Sequence, residues 1–261
     1  MRTTLVFSLL PVLFALGCGG GGEQPAAGAP ETSTAPEEAP KDYFQVDPAT
    51  GATIKGVINF AGEAPKPVRL NLSAEPVCRD MHDGPVYADV IATNDNNTLA
   101  NVYVYVKSGL EGKAFAPAKE KVMIDQKGCV YVPRVAGIMV GQTLTVSNSD
   151  QTSHNVHPLP RTNVEWNKSH AAGAGPIEQT FKKPELMIPV KCNLHPWMRA
   201  YVNVSDHPFF AVTGDDGSFE ISGLPPGNYT LEAVQERLGN QEIQVTVGDS
   251  ESKTVEMTFS D

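Results

Sequence analysis

After its first twenty residues the chain has no apolar run long enough to cross a bilayer, which takes about 20 residues of helix. It also lacks a basic surplus. Lys and Arg number 20 against 30 Asp and Glu, a formal net charge of −10, so nothing electrostatic draws it to nucleic acid or to an anionic membrane surface. Aromatic residues are few, 7% of the chain, and no segment holds a long helical period. No motif of nucleophilic or acid–base catalysis stands out. The acidic pairs Glu37–Glu38 and Asp215–Asp216 are read as a solvated linker and a turn, so the chain is read as a non-enzyme. Cysteine and histidine are scarce, four and six residues, which makes any clustering of them informative.

The apolar residues that do form a run stand at the start. Arg2 precedes LVFSLLPVLFAL at 5–16, then Gly17 and Cys18. The run is too short for a membrane span and has the shape of a signal peptide. It resembles a bacterial lipoprotein signal (residues 1–17) ending at a lipid-modified Cys18, with Ala15 where that family usually has Leu. An ordinary cleaved signal is the alternative. Residues 18–49, with GGGG and EQPAAGAPETSTAPEEAP, hold too little apolar surface to offset the entropy of ordering them, and read as a disordered tether. Both readings place the mature protein outside the cytoplasm, where disulfides persist. With lipidation it is anchored on the periplasmic or cell-surface side of a bacterial membrane.

From about Gly51 short alternating runs follow one another: TIKGVINF, NVYVYVK, KVMIDQ, CVYVPRV, QTLTVSN, AYVNV, SFEIS, YTLEAV, EIQVTV and KTVEMTF. They are rich in Val, Ile, Thr and Tyr and separated by turn signals such as NDNN, GDDG and LPPGN. The fold class is therefore all-β, with antiparallel sandwich architecture expected.

One stretch concentrates unusual chemistry. VKCNLHPWM, at 190–198, puts Cys192, His195 and Met198 within seven positions, and SHNVH, at 153–157, offers His154 and His157. Thiolate, imidazole and thioether are soft or borderline donors. Two imidazoles, one thiolate and a weak axial Met suit copper in both of its common oxidation states, Cu(I) and Cu(II), better than zinc.

Residues 120–205 resemble a cupredoxin, the blue-copper Greek-key sandwich. The likeness rests on VYVPRV, GQTLTVSNSD, SHNVH and CNLHPWM in that order, and its compact spacing is closest to amicyanin. Val190 departs from the family, which usually has an aromatic two residues before the Cys. The resemblance implies one copper ion held by His154, Cys192, His195 and Met198. Asn155 would tie the two ligand loops together. It implies single-electron transfer with a redox protein, a cytochrome or another oxidoreductase, met through a surface face at His195. His157, three residues on in an extended strand, faces away from His154. A copper-delivery protein and a metal-free structural sandwich are the competing readings.

If Cys18 is lipidated and Cys192 binds copper, Cys78 and Cys129 are left to pair in an exported protein. A second site built on CRDMH (Cys78, Met81, His82) stays open. His170 and His207 are read as surface or inter-domain residues. Finally, TGDDGSFEISGLPPGNYTLEA at 213–233 resembles a carboxypeptidase-regulatory or transthyretin-like sandwich, and GVINFAGEAP fits that family's first strand. This implies a cupredoxin at 118–206 inserted into a second sandwich made from 50–117 and 207–261. The rival is that 50–117 extend the cupredoxin and the C-terminal module stands alone.

Overall fold

The computed structural model describes residues 42–88 and 90–261. The expected signal segment, the expected lipidation site Cys18 and most of the expected tether lie outside them. Among the described residues no helix is long and apolar enough to cross a membrane. The fold is all-β, with strands throughout and, among the described residues, one five-residue helix, α1 (Pro76–Asp80).

Two pairs of sheets enclose two separate cores. In the first, β1 (Ala52–Ala61) lies between β15 (Ser218–Leu224) and β18 (Ser252–Ser260). It faces the sheet ordered β14 (Phe210–Val212), β4 (Tyr103–Ser108), β16 (Gly227–Gln235) and β17 (Gly239–Val247). Period-2 alternation sets which residues turn inward. Ile54, Ile58 and Phe60 of β1, Phe219 and Ile221 of β15, and Met257 and Phe259 of β18 meet Val104, Val106, Leu231 and Val245 from the other sheet. Each such side chain, fully buried, stabilises by about 1.5–3 kcal/mol. At Gly56 a Cβ would stand 2.4 Å from the Phe219 ring and 2.7 Å from the Val255 carbonyl oxygen. Only glycine lets Phe219 lie across β1.

The second pair uses strands from 122–205 alone. One sheet runs β10 (Lys168–His170), β9 (His154–Pro158), β12 (Glu185–Lys191), β13 (Arg199–Ser205), β7 (Val135–Met139). The other runs β11 (Ile177–Thr180), β8 (Thr143–Asn148), β5 (Val122–Lys127), β6 (Val130–Val132). Ile124, Ile138, Leu144, Val146, Val156, Ile188, Val190 and Val202 fill the space between, together with Cys192 and Met198. The run CVYVPRV is shared between the two sheets, because Pro133 ends β6 before β7 begins.

Not every ladder is antiparallel, as the sequence led us to expect. β1 with β18, β7 with β13, and β5 with β8 pair in parallel. Alternation fixes a strand's inward face but not the direction of its neighbour, so the pattern could not have shown this.

A strap joins the cores. Between β1 and β4 the chain forms the short ladder of β2 (Val68–Arg69) and β3 (Tyr87–Ala88), with α1 between them. Although this segment precedes β4 in sequence, Cys78 of α1 is buried in the second core, and Met81 packs against it.

Candidate metal centre

β9 begins at His154, and β12 ends one residue before Cys192. The two strands are neighbours, Lys191 standing opposite His157 and Val190 opposite Pro158, so His154 is carried to the end of the sheet where β12 turns into β13. That turn, residues 192–198, is tied by its own backbone. The Cys192 N–H donates to the Met198 carbonyl at 3.3 Å, and the Met198 N–H donates to the His195 carbonyl at 2.9 Å.

Three side chains converge there. The Nδ1 atoms of His154 and His195 stand 2.8 Å apart, and the Cys192 sulfur lies 3.7 Å from His195 Nδ1. All three residues are buried, and Met198 sits in the same core with no exposed surface. Asn155 ties the two loops: its Oδ1 accepts from the Asn193 N–H at 2.6 Å and lies 3.4 Å from the Cys192 sulfur, to which its own N–H points at 3.5 Å. The Asn155 amide is oriented in turn by Asn167 at 2.7 Å. His157 turns away, to Asn193 and Glu165.

Sequence reasoning missed Asp150. The residue is 4% exposed, and its carboxylate meets His154 Nε2 at 2.8 Å. Gly128 and Cys129 donate their backbone N–H groups to it at 2.6 and 2.8 Å. The signal was present in NSDQTSH, an acid four residues before the histidine.

These contacts set the charges. Burial disfavours the His154 imidazolium, but the Asp150 and Cys192 partners hold its pKa up at about 9. Burial likewise disfavours the Cys192 thiolate, yet His154 and the N–H groups of Asn155, His195 and Leu194 bring the thiol down from its ordinary value. His195 is lowered by burial and by the neighbouring His154 charge. Asp150 is lowered despite its burial, by His154 and the two backbone donors.

Four readings from the sequence meet the packing here, and those of His195 and His170 as surface residues are corrected by it. First, His195 does not reach the surface: it is 3% exposed, while Leu194 beside it is 56% exposed. The reason is the strap. Cys78 and Cys129 form a disulfide whose sulfurs lie within 4.8 Å of a ring nitrogen of His195. Second, the Cys78–Cys129 pair expected from the sequence is present, so the alternative site with Met81 and His82 lacks Cys78, and His82 bonds the Gly128 carbonyl at 2.8 Å. Third, His170 is 1% exposed and lies opposite His154 across the β9–β10 ladder. Fourth, His207, read as a surface or inter-domain residue, takes the inter-domain place: it follows β13 of the second core and is 7% exposed, with its Nε2 on the Val106 carbonyl of β4 at 2.8 Å. Trp197 donates its indole N–H to the Cys129 carbonyl at 3.0 Å, with its ring centroid 5.2 Å from that of His195.

Comparison with known proteins finds partial likenesses. The model of the ER membrane protein complex subunit 7 β-sandwich domain matches residues 191–259, well under half the chain. No curated protein matches the chain. Among solved structures, a copper-containing nitrite reductase from Thermus scotoductus SA-01 is 22% identical over 39% of this chain, with a TM-score of 0.31. The chain spans only 25% of that enzyme's length. A purple cupredoxin from Nitrosopumilus maritimus is 24% identical, covering 32% of this chain and 99% of its own, with a TM-score of 0.28. An oxidized amicyanin mutant is 21% identical, covering 39% of this chain and 98% of its own, with a TM-score of 0.30.

Which ion the donors fit is decided by their chemistry. Among the described residues three groups of ligand atoms stand close enough to share a cation: Cys78–Cys129–His195, Cys129–Asp150–His154 and His154–Cys192–His195. The first two rely on sulfurs already joined in the disulfide, which offer no thiolate. The third keeps a free, buried cysteine with a favoured thiolate and two imidazole nitrogens. That N₂S set, with a buried thioether on the same loop, fits a soft or borderline ion and offers nothing to a hard, oxygen-seeking one.

Proposed function

We propose that the chain is a mononuclear copper protein that exchanges single electrons with a redox protein partner, outside the cytoplasm and tethered to a membrane through Cys18. The observation that carries this reading is the convergence of His154 Nδ1, His195 Nδ1 and the Cys192 sulfur in a buried core. His154, Cys192 and His195 would hold the ion, with Met198 as a weak fourth donor. Bound copper would supply a one-electron couple. Rigid β-sheet ends on both sides of the site keep the donors in place, so little reorganisation accompanies a change of charge. The buried shell excludes water and competing ligands. The cupredoxin-like piece at 118–206 would be inserted in a second sandwich formed by 50–117 and 207–261, with no catalytic step assigned to either.

Burial also separates this reading from copper delivery. A delivery protein must hand its ligands, one by one, to an acceptor, which favours open sites. Here all three donors are covered, His195 by the strap, whereas an electron needs only a short through-protein path. The Trp197 ring packed on His195 reaches partial exposure and lies on such a path.

The test is metal loading of the purified chain with Cu(II). An intense visible thiolate-to-copper band, lost in Cys192→Ser and reversible under redox titration, is expected. No colour, with Zn(II) bound as tightly as copper, overturns the proposal. Rapid loss of copper to a chelator of moderate affinity would favour delivery over electron transfer.

A further inference from the structure

We propose that Asp150 is a positioning residue of the centre, which fixes the donor face of His154 and favours the more highly charged state of the bound ion. The inference rests on the copper reading above.

Asp150 stands just past β8 and is not placed to ligate. One oxygen, Oδ2, is taken by His154 Nε2 at 2.8 Å and by the Cys129 N–H at 2.8 Å, and Oδ1 by the Gly128 N–H at 2.6 Å. Each donor comes from a fixed part of the fold. Asp150 itself is anchored by its own N–H, which donates to Asn148 Oδ1 at 3.0 Å. Cys129 is pinned by the bridge to Cys78, and its carbonyl receives the Trp197 indole. The Gly128 carbonyl accepts from the His82 ring Nε2–H at 2.8 Å. A carboxylate so held has one direction left in which to accept, toward His154 Nε2.

Two consequences follow for the imidazole. A proton on Nε2, donated to Asp150, leaves the Nδ1 lone pair for the shared ion, so the ring binds in one tautomer and one rotation. The carboxylate also makes the ring a stronger electron donor and places a buried negative charge next to the ligand sphere. Both effects favour Cu(II) over Cu(I). Among the described residues His195 has no such carboxylate on its ring; its neighbours are Cys192, the disulfide, Trp197 and His154. The two histidines, alike as residues, are therefore unequal as ligands.

The test is Asp150→Asn, which keeps size and an acceptor oxygen but removes the charge. Copper affinity is expected to fall by roughly 10- to 100-fold, with Cu(II) losing more than Cu(I). The midpoint potential then rises by about 59 mV for each tenfold difference between the two losses. A merely structural role would lower thermal stability without moving the potential. An unchanged potential and affinity in a folded, copper-binding variant overturns the inference. If the variant does not fold, nitrogen NMR of the wild-type chain decides. A slowly exchanging His154 Nε2–H is expected, and a His154 Nε2 that carries no proton when the ion is bound overturns the inference. Failure of the copper reading looks different, because neither wild type nor variant then develops the thiolate band.

Discussion

At the scale of single residues, Glu185 shows how a carboxylate away from the centre stores pH-dependent stability. It accepts from the backbone N–H groups of Arg161, Thr162 and Asn163 and from the side chains of Thr162 and Asn163. Burial alone would raise its pKa, but these bonds hold it at about 2. A folded-state value below the ordinary one means the stabilisation is complete above the ordinary carboxylate range and lost as pH falls through the folded value. Glu185→Gln should thus be less stable than wild type near neutrality. The gap in urea midpoints should close between about pH 5 and about pH 2; a gap constant across that range rules the assignment out. The same scale explains what was legible at the centre. His154, Cys192 and His195 could be singled out because scarce donor types recur at short spacing on strand ends, and the structure brings these three together. Asp150 escaped notice because an isolated acid in a polar loop looks like any other turn residue. Its meaning depends on the 128–129 turn, which is distant in sequence.

Among the elements, the strap changes most about how the centre is understood. The Cys78–Cys129 bridge closes a segment of sequence separation 51, so removing it should cost about 4 kcal/mol on the chain-entropy estimate. Beyond stability, a Cys78→Ala/Cys129→Ala chain should expose the centre: diethyl pyrocarbonate should modify His195 faster than in wild type. Equal protection in both would show that something other than the strap buries it. Nothing local in residues 68–88 marks them as a cover, because their two-residue strands and five-residue helix carry no period to read. β12 was hidden for another reason. ELMIPVK holds Pro189, which usually marks an edge strand, yet β12 lies between β9 and β13. The proline is tolerated because it pairs with Tyr201 in the β13 ladder and its carbonyl still accepts from the Leu159 N–H at 2.8 Å. Strands with plain alternation, such as β15 and β18, were visible from sequence alone.

At the scale of the whole molecule, the described residues form two hydrophobic cores whose sheets touch at a small, specific junction. Gly137 of β7 lies under the Phe210 and Tyr103 rings, where a Cβ would stand 2.6–2.8 Å from their atoms. Beside it Arg134 forms a bidentate pair with Glu236, at 3.0 and 2.6 Å, with side chains only 15% and 7% exposed. The guanidinium also lies over the Tyr201 ring of β13 at 5.9 Å. Arg134 leads into β7 of the second core, and Glu236 follows β16 of the first, so the pair bridges the two. Breaking a buried ion pair leaves an uncompensated charge, and losses of about 3–5 kcal/mol are usual. Arg134→Ala should approach the lower end because Glu236 can relax toward solvent. Arg134→Ala with Glu236→Leu, which removes both charges, should recover most of the loss. The coupling also has a distinctive thermal signature. If this junction makes the two cores unfold together, calorimetry of the wild type shows one transition, and Arg134→Ala separates it into two. The core that carries the proposed metal centre would then be identified as the transition that shifts upward with added Cu(II), since an ion bound only by the folded form stabilises it by mass action. A single transition in Arg134→Ala, lowered as a whole, would instead place the coupling in the strap, which runs from β1 of one core to the disulfide of the other.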